Sequence, residues 1–308
     1  MEKRLTRTEM LFSFGFLFML VVAVGAFFYG VQIGSDKTES KLIEQTKHLS
    51  STKGGAVTAY QQQDLVSFYH TVFLPYREFQ TEWFQSLHKM SSQQLADTSS
   101  ALKELSSLAK QKYKEAETAS VPKTSPLLEQ AQLQFLKGLK MFQEAADRGA
   151  VSAKELSNAE LLSALKQDAY YVEGVKHAMG GQQNYYDAML QWASSVNPNI
   201  PNVIATSDVL EINQWKSLPL VVKNKLMAQQ LNTRKQLASF YPQDLTSRVD
   251  EFILAGQANK MKMKTIDAIV DLLISTEAVR SGDFSGSKAQ LYTKELLPQL
   301  PFFYPEKE

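Results

Sequence analysis

Apolar residues recur three or four positions apart along most of the chain, and the clearest interruption of that rhythm is an uncharged apolar run near the N-terminus. From Met10 to Ser35 no charged side chain occurs, and Leu11 to Ile33 is dominated by Leu, Phe, Val and Ala without proline. A helix of roughly 20 residues crosses about 30 Å of hydrocarbon, so residues 10–35 are predicted to form a transmembrane helix. A cleaved signal peptide is the competing reading, with Val24 and Ala26 as the small-residue site. The run exceeds the roughly 7–15 residues of a signal core, and Phe27, Phe28 and Tyr29 carry it past that site. Lys3, Arg4 and Arg7 make the tail 1–9 basic and favour a cytoplasmic N-terminus with the C-terminal domain outside; Lys37, Lys41 and Lys47 beyond the span are interleaved with Asp36, Glu39 and Glu44. Ala26, Gly30 and Gly34 recur every fourth residue and offer a small-residue face for lateral helix pairing.

Residues 36–57 are polar, include Lys53, Gly54 and Gly55, and read as a juxtamembrane stalk. A helical bundle is predicted over 58–196. Its first stripe is Leu65, Tyr69, Val72, Tyr76, Phe79, Trp83, Leu87 and Met90, which Pro75 should kink or split. Ser91 and Gln94 form a capping-box pattern ahead of a stretch carrying Leu95, Leu102, Leu105, Ala109 and Ala116, closed by a turn at Val121 to Ser125. Ser125 and Pro126 open a third helix (Leu128, Ala131, Phe135, Leu139, Phe142) that Gly149 should end. Ser152 with Glu155 opens a fourth, which Gly180 and Gly181 break or bend before Tyr185, Tyr186, Met189, Leu190 and Ala193 resume the pattern.

Pro198 and Pro201 make 197–206 the best linker. Beyond it, 207–296 is a second helical segment or the remainder of the bundle. Asp208 and Glu211 suggest a capping box, Ser217 precedes a helix with Pro219 in its first turn, and Tyr241 and Pro242 mark another turn. Leu245, Val249, Phe252, Ile266, Val270 and Leu273 predict one long final helix, after which Gly282 to Gly286 loosens the chain. Residues 297–308 form an extended tail in which Phe302, Phe303 and Tyr304, among Pro298, Pro301 and Pro305, are candidates for docking. Strand-like alternation is missing. The expected fold is therefore all-α, a single N-terminal transmembrane helix followed by an antiparallel helical bundle or two stacked bundles.

Composition changes this picture by exclusion. In 308 residues, 33 Lys and Arg balance 32 Asp and Glu, which removes the positive field that nonspecific nucleic-acid binding uses. Cysteine is absent, so disulfides, thiolate zinc sites and a lipid-modified cysteine anchor are excluded. Four histidines show no paired metal-ligand spacing; Glu173 and His177, one turn apart, read as a solvent-facing pair. No nucleophile elbow or phosphate loop is present, and neither a cofactor nor a catalytic site is expected.

Tyr69, Phe73, Tyr76, Phe79, Trp83 and Phe84 exceed what one core stripe needs, so they are taken as a candidate partner or ligand surface alongside a core reading. The expected function is a non-enzymatic interaction or scaffold component of a bacterial cell envelope, with the lipid bilayer and an envelope protein or a second copy as partners. The alternative is an extracytoplasmic ligand-binding accessory domain. With residues 1–9 too short to fold, any signal must pass through a membrane neighbour.

Overall fold

A computed structural model describes residues 60–202 and 209–304. The predicted transmembrane helix with Ala26, Gly30 and Gly34, the stalk, Asp208 of the expected capping box and Pro305 all lie outside the described residues. No helix among the described residues is long and apolar enough to cross a membrane. Their regular structure is helical, apart from one isolated antiparallel bridge between Glu211 and Thr265.

The first stripe folds as α1 (Gln62–Phe68), a π-helical turn (Tyr69–Phe73) and α2 (Leu74–Ser91). Pro75 does not split it. Proline brings no N–H to the helix, and the chain absorbs the missing donor by widening one turn, so that the Leu74 N–H donates to Tyr69 O five residues back. The helix ends where a start was expected: Gln93 is left-handed (φ 57°), and the Gln94 N–H donates to Lys89 O at 2.8 Å, a C-terminal cap rather than a box at Ser91. Asp97 instead caps α3 (Thr98–Glu117), accepting from the Ser100 N–H at 3.0 Å.

Two glycine expectations are corrected by packing. Helix α4 (Pro126–Ser152) runs through Gly149, where an added Cβ would lie 3.2 Å from Leu102 Cδ1. The next capping box is Ser157 with Glu160, opening α5 (Asn158–Gln167), five residues beyond the expected Ser152 and Glu155. Asp168 then caps α6 (Ala169–Val196), which Gly180 and Gly181 do not break. Gly174 and Gly181, with Ala178 between them, make a shallow channel on α6 that receives Phe142 and Phe135 of α4; a Cβ at either glycine would meet a ring at 3.1 Å. At Gly138 a Cβ would meet backbone atoms of Gly174 and Ala178 at 3.4 Å, so the two helices pass close together.

The order of these contacts, residue 135 against 181 and 142 against 174, makes α4 and α6 antiparallel. Leu102 against Gly149 and Gln132 on Ala116 O do the same for α3 and α4. Helices α1–α2, α3, α4 and α6 thus form an up-and-down bundle around Phe68, Phe73, Tyr76, Phe79, Trp83, Phe135, Phe142 and Tyr185.

After the turn at Asn197, α7 (Ile212–Lys216) is opened by Glu211 with Gln214. Helix α8 (Leu220–Thr233) packs on α6, with Asn232 donating to Gln183 Oε1 at 2.6 Å. The expected long final helix is three. Gly256 (φ 70°) stops α9 (Pro242–Leu254), and left-handed Lys262 separates α10 (Gln257–Lys260) from α11 (Ile266–Ser275). Gly282 (φ 93°) then starts α12 (Asp283–Leu291) in the stretch expected to be loose.

Candidate functional site

Helix α2 carries Arg77, Gln80, Thr81, Phe84 and Gln85 at spacings that share one face. The non-helical stretch between α8 and α9 lies across it, and its carbonyls need partners outside a helix. Gln80 Nε2 donates to Ala238 O (3.1 Å), and Arg77 Nη2 donates to Ser239 O (3.1 Å). Arg77 Nη1 donates to Gln80 Oε1 (2.6 Å), and the guanidinium lies 4.0 Å over the Tyr241 ring. Leu74, Leu108 of α3 and Ser281 complete a half-open cleft of about 540 Å³.

The charge at the floor of this cleft is unusual. Arg77 is 7% exposed, yet among the described residues no carboxylate oxygen stands within 4.0 Å of it. Its Nε is buried without a hydrogen-bond partner. Glu78, next in sequence, is held by Lys112 at 2.5 Å, and Lys112 also binds Glu115 at 2.9 Å. Glu82 is exposed at the rim. A buried cation is costly without compensation, and here the close partners are a carbonyl, an amide and an aromatic face.

Of the two sequence readings of the aromatic cluster, core seam and exposed surface, the first describes five of its six rings. Tyr69, Phe73, Tyr76, Phe79 and Trp83 are all buried, because the bundle closes on every side of α1 and α2. Trp83 stacks on Tyr171 at 5.9 Å, and Tyr76 meets Phe135 at 4.6 Å. Burial without a partner for its hydroxyl pushes the Tyr76 phenol well above its ordinary pKa. Only Phe84 reaches the cleft wall. The tail residues lie on the protein's own body. Phe302 stacks on Tyr241 at 5.1 Å and contacts Tyr69 and Phe73, Phe303 is buried against Phe284, and Tyr304 is half-exposed with Lys288 Nζ 3.3 Å from its ring centre.

The Glu173–His177 pair is also corrected. His177 is buried, its Nδ1 lies 2.6 Å from Gln134 Oε1, and Glu173 is 3.9 Å away. Burial, seconded by the charge of Lys137, lowers its pKa to about 4, so it is neutral near pH 7. Among the described residues no group of three or more His, Asp or Glu is placed to hold a metal ion.

A second polar centre escaped the sequence reading. Asp250 Oδ1 accepts from Trp215 Nε1 (2.6 Å) and Lys223 Nζ (3.0 Å), while Oδ2 accepts from Lys223 (3.1 Å) and the Tyr292 hydroxyl (2.7 Å). All four residues are buried. With four hydrogen bonds from three donor groups on its carboxylate, Asp250 has no lone pair poised for proton abstraction, and the arrangement ties α7, α8, α9 and the chain after α12 together. Arg77 was legible in principle: it follows Phe73 by four residues, which places a charge on the stripe that faces inward. Asp250 gave no such signal, since its partners come from three distant segments.

Comparison with family models, curated proteins and solved structures gives no match for this chain.

Proposed function

We propose that this chain is a single-pass, membrane-tethered component of a bacterial cell envelope, with its N-terminus cytoplasmic and its helical domain outside, that works by binding rather than by catalysis. Of the two roles the sequence suggested, scaffold and ligand-binding accessory domain, the second is the better supported. The single observation that carries it is the cleft over Arg77. Its volume falls in the range of small-molecule sites, most of its exposed wall area is apolar, and two buried polar side chains, Arg77 and Gln80, lie at its floor. Five of the six rings named as a partner surface are buried in the core, and the sixth, Phe84, lines the cleft. A ligand bridging α2 and the 238–241 stretch would bias their packing, and a neighbouring membrane protein or a second copy would read the change.

The test uses the full chain in bacterial membranes. Resistance to alkaline extraction, degradation of the domain by protease added to intact spheroplasts, and a small molecule retained on native mass spectrometry but lost from Thr81→Trp are expected. Release by alkaline washing contradicts the tether, and unchanged small-molecule retention in Thr81→Trp contradicts the site.

A further inference from the structure

We infer that the cleft over Arg77 selects a monocarboxylic acid with an apolar body, the carboxylate lying on the guanidinium and the body along Leu74, Phe84 and Leu108. The inference rests on the reading of this cleft as the binding site and adds the ligand's chemical class.

The argument begins with donors and charge. A guanidinium has five N–H groups, and the two hydrogen bonds of Arg77 occupy only two of them. Its acceptors, Gln80 Oε1 and Ser239 O, are both neutral, so a carboxylate that displaces the Gln80 amide oxygen exchanges a neutral acceptor for a charged one. Gln80 keeps its own bond to Ala238 O through Nε2, which holds the neighbouring chain in place during that exchange. The rim then limits the number of charges. Glu82 is exposed there, and Glu78 shares Lys112 with Glu115, so that trio keeps one net negative charge. One buried cation below a negative rim leaves room for a single negative charge on the guanidinium and opposes a second, which disfavours phosphates and dicarboxylates. The apolar part of the remaining lining, Leu74, Phe84, Leu108 and the Tyr241 ring, suits an aryl or alkyl body, with Thr81, Gln85, Ser239 and Ser281 lining the cleft beside it.

Calorimetric titration of the full chain in detergent with 3-phenylpropionate and octanoate tests this, with 3-phenylpropionamide and inorganic phosphate as the contrasting probes. Saturable binding of at least one acid is expected, with the amide at least about tenfold weaker and phosphate not binding. Whichever acid binds more tightly indicates an aromatic metabolite or a lipid-derived acid as the source. Arg77→Gln abolishes acid binding but also releases Ser239, so Thr81→Trp is the decisive variant: it fills the cleft, leaves Arg77 in place and is expected to abolish binding as well. Equal binding of acid and amide, binding of phosphate, or binding of neither acid overturns the inference. If neither acid binds but native mass spectrometry still finds a neutral molecule that Thr81→Trp loses, the ligand class is wrong and the site stands. Unchanged acid binding in Thr81→Trp removes both.

Discussion

In the bundle of α1–α2, α3, α4 and α6, the interior is built from rings set against small residues, as where Phe135 and Phe142 enter the channel at Gly181 and Gly174. The part from 209 to 304 buries instead a lysine, two aspartates and hydrogen-bonded serines: Lys223 with Asp250, Asp244 under the Phe284 N–H, and Ser247 donating to Ser287. An apolar interior fails by degrees, through lost contacts and cavities. A polar one fails abruptly when a single partner leaves an unpaired charge behind. The cleft lies where the two meet, and Arg77 carries into the ring-lined bundle the kind of group that the other region pairs and this one does not.

The sharpest break in this comparison is Asp250→Ala, which leaves Lys223 buried without its counter-charge. A loss of about 3–5 kcal/mol is expected in urea unfolding. The double change Lys223→Met with Asp250→Leu should cost at least about 1 kcal/mol less than the single one, because no ion is left uncompensated. An additive double change would mean that the pair carries no coupling.

Within the bundle the largest effect is one of pH. His177 has its folded-state pKa lowered to about 4 against an ordinary 6.5, so the unfolded chain takes up the proton first. Its contribution is complete above pH 6.5 and is lost as pH falls from there towards 4, up to about 3 kcal/mol in all. Unfolding midpoints measured across that window should fall more steeply for the native chain than for His177→Gln.

Smaller effects separate the two adjacent glycines of α6. At Gly181 a Cβ meets the Phe135 ring at 3.1 Å, so Gly181→Ala should destabilise by about 1–3 kcal/mol. At Gly180 the nearest atoms belong to Gln134, a flexible side chain, at 3.7 Å. Gly180→Ala should therefore stabilise by about 0.5–1 kcal/mol through helix propensity. Thermal melts of the pair check the opposite signs, and equal shifts in one direction would remove the channel from the account.

The contrast also explains what the sequence could reveal. Periodic stripes such as Leu128, Ala131, Phe135 and Leu139 declare a long helix because each apolar position repeats the same instruction. Glycine has two uses that look alike in a sequence. Gly181 permits close helix approach, whereas Gly256 stops a helix by its left-handed backbone, and only packing separates them. Ser91 and Ser152 carry cap spacing but sit at helix C-termini, since Gln93 and the residues beyond Ser152 turn the chain first. The cleft was less legible still. Arg77 stood on an inward stripe, but its contacts with Ala238, Ser239 and Tyr241 come from about 160 residues away. The aromatic excess in α1 and α2 has the same origin: Tyr171, Tyr185 and Phe302 arrive from remote segments to cover it.

The most direct measurement is the Arg77 Nε–H resonance of the full chain in nanodiscs, labelled with ¹⁵N-arginine and assigned by its disappearance in Arg77→Lys. Saturating 3-phenylpropionate or octanoate, whichever binds the more tightly, should move that signal in step with the calorimetric isotherm, and Thr81→Trp should leave it still. A signal that stays fixed while the acid binds would place the ligand elsewhere and contradict the assignment of the cleft.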